Sequence, residues 1–264
     1  MWGVVPAAGR GSRMQPLAFS KELLPVGSRT DGREDRPVAV SEYLVDRMLL
    51  AGVTRLCFVI SPGKSDILEY YGGSVRGANV CYVVQNEPAG LCDALFRALP
   101  FIDPDEWVCV GLPDTIWFPE QGFAMLGDHP FSMLLFPVEQ PQLFDAVTLD
   151  ESGFVREVEV KAKNPKSRWV WGGFKLKGAI LADLHRLWQG PGRHDEYLGT
   201  LVNEYVQNGG SVRGVARGRA YVDVGTLHGY REATRLLEAV RLLADAQLAP
   251  GNEAENGNRV ALPK

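Results

Sequence analysis

Two short stretches near the N-terminus carry residues suited to phosphate chemistry. The first reads Pro6-Ala7-Ala8-Gly9-Arg10-Gly11-Ser12-Arg13-Met14-Gln15-Pro16-Leu17 and follows an apolar run. Gly9 and Gly11 let the backbone approach a ligand closely, and successive N–H groups in such a turn can cradle a phosphate. Arg10 and Arg13 add planar forks of donors that match phosphate oxygens. The second stretch reads Ser20-Lys21-Glu22-Leu23-Leu24-Pro25-Val26, and its apolar residues anchor the backbone after Lys21. Together the two would aim Arg10, Arg13 and Lys21 at one anion. Each also has a plainer reading, as a surface turn and a solvated lysine. Two glycine-rich signatures do not fit. A Walker A loop and a GxGxxG dinucleotide fingerprint both need glycine where Met14 stands. The fingerprint also needs an acidic residue at the end of a second strand, whereas Asp31 falls in a polar stretch.

These residues need elements to hold them. Trp2–Pro6 reads as a buried first strand. Residues 28–36 are polar and turn-rich and read as an exposed loop. Residues 38–51 have helical apolar spacing and stop at Gly52, a C′ glycine. Strands follow at 56–60, 80–84, 107–112 and 133–138, with helices at 64–71 and 91–99. This alternation predicts a mainly parallel sheet covered on both faces. From Asp145 the pattern turns β-rich. Residues 146–149 and 154–160 meet at Asp150-Glu151-Ser152-Gly153, a hairpin signal, and 169–176 is a further strand. Helices at 179–188 and 197–208, short strands at 212–215 and 221–224, and a long helix at 226–246 complete the chain. The reading is one α/β domain over 1–246 with a β-rich insertion, followed by a frayed polar tail over 247–264.

Composition narrows the function classes. Of 264 residues, 45% are hydrophobic and 23% charged, an ordinary globular balance that excludes a disordered or fibrous chain. The formal charge of -4 disfavours a non-specific nucleic-acid binder. No run approaches the ~18 apolar residues of a membrane span. The opening MWGVVPAAGRGSR is too short an apolar stretch for a secretion signal. Cys57, Cys81, Cys92 and Cys109 lie far apart without a CxxC pair, which fits a reducing cytoplasm. His129, His185, His194 and His228 show no metal-ligand spacing and read as surface or capping residues. Trp169 and Trp171 share one strand face, where core packing is favoured over sugar stacking.

GRGSRMQPL followed by SKELLPV resembles the signature of nucleotidyltransferases that activate sugar 1-phosphates, of the glucose-1-phosphate thymidylyltransferase type. The order of later segments agrees over about residues 2–238. Gln85-Asn86-Glu87-Pro88-Ala89-Gly90-Leu91 resembles the base-reading loop, and Gly111-Leu112-Pro113-Asp114-Thr115 the segment whose Asp binds magnesium. Glu159-Val160-Lys161 stands where relatives contact the sugar phosphate, and Trp171-Gly172-Gly173-Phe174 resembles the strand lining the sugar site. Tyr221-Val222-Asp223-Val224-Gly225-Thr226 resembles the segment with the second metal-binding Asp. The resemblance implies a Rossmann-like three-layer α/β sandwich with a mixed, mainly parallel sheet. It implies transfer of a nucleoside monophosphate from a nucleoside triphosphate to a sugar 1-phosphate, with release of pyrophosphate. Arg13 and Lys21 would be catalytic. Ala8, Gly9, Arg10, Gly11, Ser12, Gln85 and Gly90 would bind the nucleotide. Leu91, Glu159, Lys161 and Gly173 would bind the acceptor, and Asp114 and Asp223 would hold Mg²⁺. It implies a homo-oligomer, and its base-reading loop favours dTTP or UTP.

The chain departs from that pattern mainly on the sugar side. Pro113 stands for Gly and Thr115 for Asn, beside the magnesium Asp. Val160 replaces a Glu that contacts sugar hydroxyls, and Phe144-Asp145 replaces a Tyr-Gly pair in the hexose pocket. A non-hexose acceptor, or a non-sugar phosphate or phosphonate used with CTP or GTP, therefore stays open beside the leading reading. So does a catalytically silent homologue, against which the set Arg13, Lys21, Asp114 and Asp223 argues. A nicotinamide oxidoreductase has only the strand alternation in its favour.

Overall fold

The apolar run Trp2–Pro6 forms β1, whose first four residues are buried. The structure, a computed structural model, describes residues 1–193 and 195–248. After the glycine loop come β2 (Pro25–Asp31), β3 (Glu34–Ala39) and α1 (Val40–Leu50). Next are β4 (Arg55–Ile60), α2 (Ser65–Tyr71), β5 (Ser74–Val75), β6 (Ala78–Val84) and α3 (Gly90–Ala98). Then come β7 (Trp107–Gly111), β8 (Thr115–Phe118), β9 (Phe131–Pro137), β10 (Ala146–Leu149), β11 (Val155–Glu159) and β12 (Trp169–Lys177). The described chain ends with α4 (Gly178–Trp188), α5 (Leu198–Gln207), β13 (Arg213–Val215), β14 (Ala220–Asp223) and α6 (Leu227–Leu248). α6 thus runs past residue 246, where the helix was expected to stop. His194 and the tail beyond 248 lie outside the described residues.

One ten-stranded sheet has the order β11-β10-β12-β7-β1-β4-β6-β5, with β9 beside β12 and β13 beside β9. The run β7-β1-β4-β6 is parallel, and β12 joins β7 antiparallel. Side chains on these strands alternate between two apolar layers, as the pleat requires. Val4, Cys57 and Val110 pack with α3, α4 and α5, whereas Val5, Phe58 and Cys109 pack with α1 and α2. Helices therefore cover both faces, and the molecule has the three-layer α/β build. Trp169 and Trp171 belong to the first of these layers, in keeping with the packing reading. A smaller third cluster joins Leu24, Val26, Val40, Ile116, Val222, Val224 and Ala233 of α6.

Two expectations change. Residues 28–36 form the antiparallel hairpin β2–β3 and not a loop, with Ser28, Thr30 and residues 32–35 exposed and Arg29 and Arg36 half-buried. Its two-residue turn places Gly32 at φ +67°, the left-handed region that a tight hairpin turn needs. The apolar alternation that would announce it is missing because most of its residues face solvent. The second change concerns the two aspartates that the resemblance assigns to the metal, Asp114 just after the strand expected at 107–112 and Asp223 within the one expected at 221–224. Asp114 sits in the turn between β7 and β8. Asp223 does end its strand, but β14 pairs with β8 in a separate two-stranded antiparallel ribbon.

Candidate active site

The glycine loop leaves the C-terminal end of β1, in the middle of the parallel run. Parallel sheets present ligand-binding groups at that edge. The Ala7 N–H donates to the Val59 carbonyl at 2.8 Å, which ties the loop's start to β4. Gly9, Arg10, Ser12 and Arg13 are exposed beyond it, and Ala8 is buried. Gly11 has φ +63°, and a Cβ there would lie 2.8 Å from Lys21 Cδ. Glycine is needed at this position for both reasons, because the Lys21 stem packs across the loop.

Lys21 opens a single 3-10 turn (Lys21–Leu23). The Ser20 N–H and hydroxyl each donate to Asp66 in the first turn of α2, at 2.6 Å. Beneath lies a buried ion pair absent from the sequence reading. Lys64 Nζ donates to both Glu22 carboxylate oxygens at 2.7 Å and to the Ala7 carbonyl at 2.6 Å. Burial pushes the Glu22 carboxyl up, against the pull of Lys64 and Lys21. Burial likewise draws the Lys64 ammonium down, against Glu22. This pair fastens the glycine loop to the Lys21 turn. The one sequence signal for it is a carboxylate, Glu22, set among apolar residues.

Lys21 Nζ donates to Asp114 Oδ2 at 2.5 Å, and Arg13 Nη2 to Asp223 Oδ2 at 3.2 Å. The Lys21–Asp114 pair is largely buried, whereas the Arg13 side chain is 62% exposed. Burial opposes charge on both members of the inner pair. Their attraction outweighs it, raising the Lys21 pKa and lowering that of Asp114. The two aspartates are placed by the β8–β14 ribbon, where Thr115 faces Asp223 and the Val224 N–H donates to the Asp114 carbonyl at 2.8 Å. Arg13 and the two aspartates converge over Gly225. A Cβ there would lie 2.8 Å from Asp223 Oδ1, 3.0 Å from Arg13 Nη2 and 3.3 Å from Asp114 Oδ2. Tyr221 lines the same ribbon, its hydroxyl pKa raised by burial and by Asp223, Asp114 and Asp145. Arg10 is exposed and makes no ion pair among the described residues, so two of the three expected cations meet here.

Gln85 stands at the C-terminal end of β6, one strand beyond β4. Its Nε2 donates to the Gly90 carbonyl at 3.1 Å and to Asp93 Oδ2 at 2.7 Å. Gly90 has φ +82°, and a Cβ there would lie 2.7 Å from the Cα of Glu196. The space over Gly90 is therefore taken by backbone. The Leu91 N–H donates to the Glu196 carbonyl at 3.0 Å.

The acceptor-side residues lie across β7, around β10–β12. Both Glu159 oxygens accept the Lys166 N–H, at 2.9 and 3.1 Å. Lys161 sits at φ +48°, rare for a residue with a Cβ. Its N–H donates to Asp145 Oδ1 at 3.2 Å, and its Nζ lies 3.8 Å from the same oxygen. Val160 packs against α5, where a Cβ on Gly199 would lie 2.6 Å from Val160 Cγ2. Gly173 pairs with Gly111 of β7, and a Cβ on it would lie 2.9 Å from Phe123, so that position faces the core. Asp145 is the acceptor-side group the sequence reading had noted only as a departure.

Among the described residues, no three His, Cys, Asp or Glu side chains form a metal cluster. The Asp114–Asp223 pair alone could offer a cation two carboxylates, a set that suits a hard ion completed by phosphate oxygens and water.

The sequence model of the nucleotidyl transferase family matches residues 2–240. The glucose-1-phosphate thymidylyltransferase of Mycolicibacterium smegmatis is 30% identical over 252 residues, covering 92% of this chain and 84% of that protein. The glucose-1-phosphate thymidylyltransferase of Neisseria meningitidis is 27% identical, covering 94% of this chain and 86% of that protein. Among solved structures, the UTP-bound UGPase of Acinetobacter baumannii superposes with a TM-score of 0.74 at 20% identity, covering 94% of this chain and 97% of that one. A match that runs from β1 into α6 takes in every segment around Gly225, and with it the chain belongs to the nucleotidyl transferase family, among the sugar-1-phosphate nucleotidyltransferases.

Proposed function

We propose that the chain transfers a nucleoside monophosphate from a nucleoside triphosphate to a sugar 1-phosphate, forming an NDP-sugar and releasing pyrophosphate. Residues 1–246 act as the one nucleotidyl-transfer unit. The observation that carries this reading is the convergence of Arg13, Asp114 and Asp223 over Gly225, with Lys21 paired to Asp114. In the reaction a phosphate oxygen of the acceptor attacks the α-phosphorus in line. The bond to the β-phosphate's bridging oxygen breaks, and its electrons leave with pyrophosphate. Such chemistry is positioning plus charge stabilisation. The N–H groups of Gly9 to Ser12 receive phosphate oxygens. Lys21 and Arg13 turn from the aspartates to the triphosphate and the departing pyrophosphate. Asp114 and Asp223 would hold Mg²⁺, which when bound neutralises charge on the phosphate oxygens. Lys161 grips the acceptor phosphate, and Glu159, Leu91 and Gly173 line the acceptor's side.

Gln85 supports dTTP or UTP. Its amide nitrogen is committed to Gly90 and Asp93, which leaves Oε1 to accept a hydrogen bond. Thymine and uracil offer N3–H to such an oxygen, whereas cytosine N3 is itself an acceptor. On the acceptor side, Val160 is packed away and Asp145 brings in a carboxylate. Both favour an acceptor other than glucose 1-phosphate. A cytoplasmic setting, supported by four free thiols, and a homo-oligomer, which light scattering would test, complete the reading.

The test is pyrophosphate release with Mg²⁺, four base types and a panel of sugar 1-phosphates, phosphates and phosphonates, beside Asp114→Ala. Release with one pair, lost in the variant, is the expected result. Silence across the panel with no triphosphate binding overturns the reading.

A further inference from the structure

Among the described residues two non-glycines have positive φ: Arg76, which with Gly77 makes the two-residue turn of the β5–β6 hairpin, and Lys161, which lies in no such turn. A side chain at φ +48° sits in a sparsely populated region. Such a conformation persists only where its surroundings over-determine it, and it clusters at ligand clamps. Four contacts converge on this one residue. Asp145 Oδ1 accepts its N–H at 3.2 Å and lies 3.8 Å from its Nζ. The Leu143 carbonyl accepts from Nζ at 3.4 Å. The Tyr197 ring lies 5.8 Å from the ammonium. Asp145 is buried, yet the Lys161 side chain stays 50% exposed, so the ammonium is aimed but not sequestered.

The wall continues to the acidic pair. Phe144, next to Asp145, sets its ring edge-on to Tyr221 at 5.5 Å. Tyr221 and Asp223, two residues apart on β14, share one strand face. A carboxylate beside a phosphate grip repels the phosphate, so its place there calls for a compensating role. Its contact with the Lys161 N–H supplies that role.

We propose that Asp145 is a positioning residue, which holds Lys161 in its left-handed conformation and fixes the ammonium that grips the acceptor phosphate. The proposal rests on the nucleotidyl-transfer reading. Oδ1 does the holding, so asparagine, which keeps a carbonyl oxygen in that place, should substitute for it and alanine should not.

Two arms separate this proposal from the reading beneath it. In the first, inorganic phosphate is titrated into the full chain and the ¹H–¹⁵N signal of the Lys161 amide is followed. Wild type and Asp145→Asn should saturate at similar phosphate concentrations, and Asp145→Ala should need about tenfold more. In the second, with a substrate pair that turns over, Asp145→Ala should raise the acceptor KM about tenfold while the triphosphate KM and Tm hold. Asp145→Asn should restore it. Equal phosphate affinity in wild type and Asp145→Ala overturns the proposal, as does no response of the Lys161 amide in wild type. A joint shift of both KM values with Tm, unrescued by asparagine, also overturns it, because that is a general structural role. If the phosphate arm gives the expected result but no acceptor turns over, the nucleotidyl-transfer reading fails and Asp145 keeps its role.

Discussion

At the residue scale the site is made of charges that answer one another. Asp114 carries two duties, since it faces Asp223 and also neutralises the buried Lys21. Asp114→Ala should therefore lower turnover by about a thousandfold or more in the pyrophosphate assay. The Glu22–Lys64 pair lies deeper. Lys64→Ala would leave the Glu22 carboxylate buried without its partner, and breaking such a pair costs about 3–5 kcal/mol. Urea unfolding measures this, and Glu22→Gln combined with Lys64→Met should recover most of the loss. The two pairs differ in how they show in the sequence. Lys21 is visible there because a motif of fixed spacing surrounds it. The role of Lys64 is not, because its partners Ala7 and Glu22 are remote in sequence and no local period links them. Lys161 was legible as a cation by resemblance, but its backbone conformation is set by Asp145, which only the fold brings close.

At the scale of elements, α1 begins on a charge hub. Glu42, three residues past the cap position, accepts the Ala39 N–H at 3.1 Å, as in half of a capping box. It also meets Arg36 at 2.8 Å, Arg29 at 3.1 Å and the Tyr70 hydroxyl at 2.6 Å. Burial pushes its carboxyl up, but Arg36, Tyr70 and the Ala39 N–H outweigh it and hold it at about 2. Its pKa in the unfolded chain is ~4.3. The folded pKa is the lower, so the stabilisation is full above ~4.3 and is lost as pH falls through about 2. Tm measured from pH 5 to 2 should fall along this window, and Glu42→Gln should flatten that part of the curve. α3 starts on a different constraint. Gly90→Ala would put a methyl 2.7 Å from the Glu196 Cα at a positive φ. A loss of about 2 kcal/mol or more is expected, read by denaturant midpoint, with weaker triphosphate binding. The long buried strands and helices were legible because burial imposes apolar runs and periods. The β2–β3 hairpin and β8 were not, since one is mostly exposed and the other is a four-residue strand following a turn.

At the scale of the whole molecule, β1 and β7 divide two sets of groups. The glycine loop and Gln85 lie toward β4 and β6, and Glu159 and Lys161 lie toward β10 and β11. Distant sites without shared partners act independently. Gln85→Ala and Glu159→Ala should thus be additive within ~0.5 kcal/mol in kcat/KM, the first acting through the triphosphate and the second through the acceptor. The three-layer build was legible from strand–helix alternation, whereas the β8–β14 ribbon that carries both aspartates was not, because its pairing crosses a long span of chain. That ribbon meets the glycine loop at a junction where two anions are already matched by two cations. Arg13 and Lys21 thus hold the two carboxylates in ion pairs. On the proposed function, a triphosphate would compete for Arg13 and Lys21 and so release the two carboxylates to a cation. On that reading the arriving nucleotide would be the key to the pocket as well as its cargo.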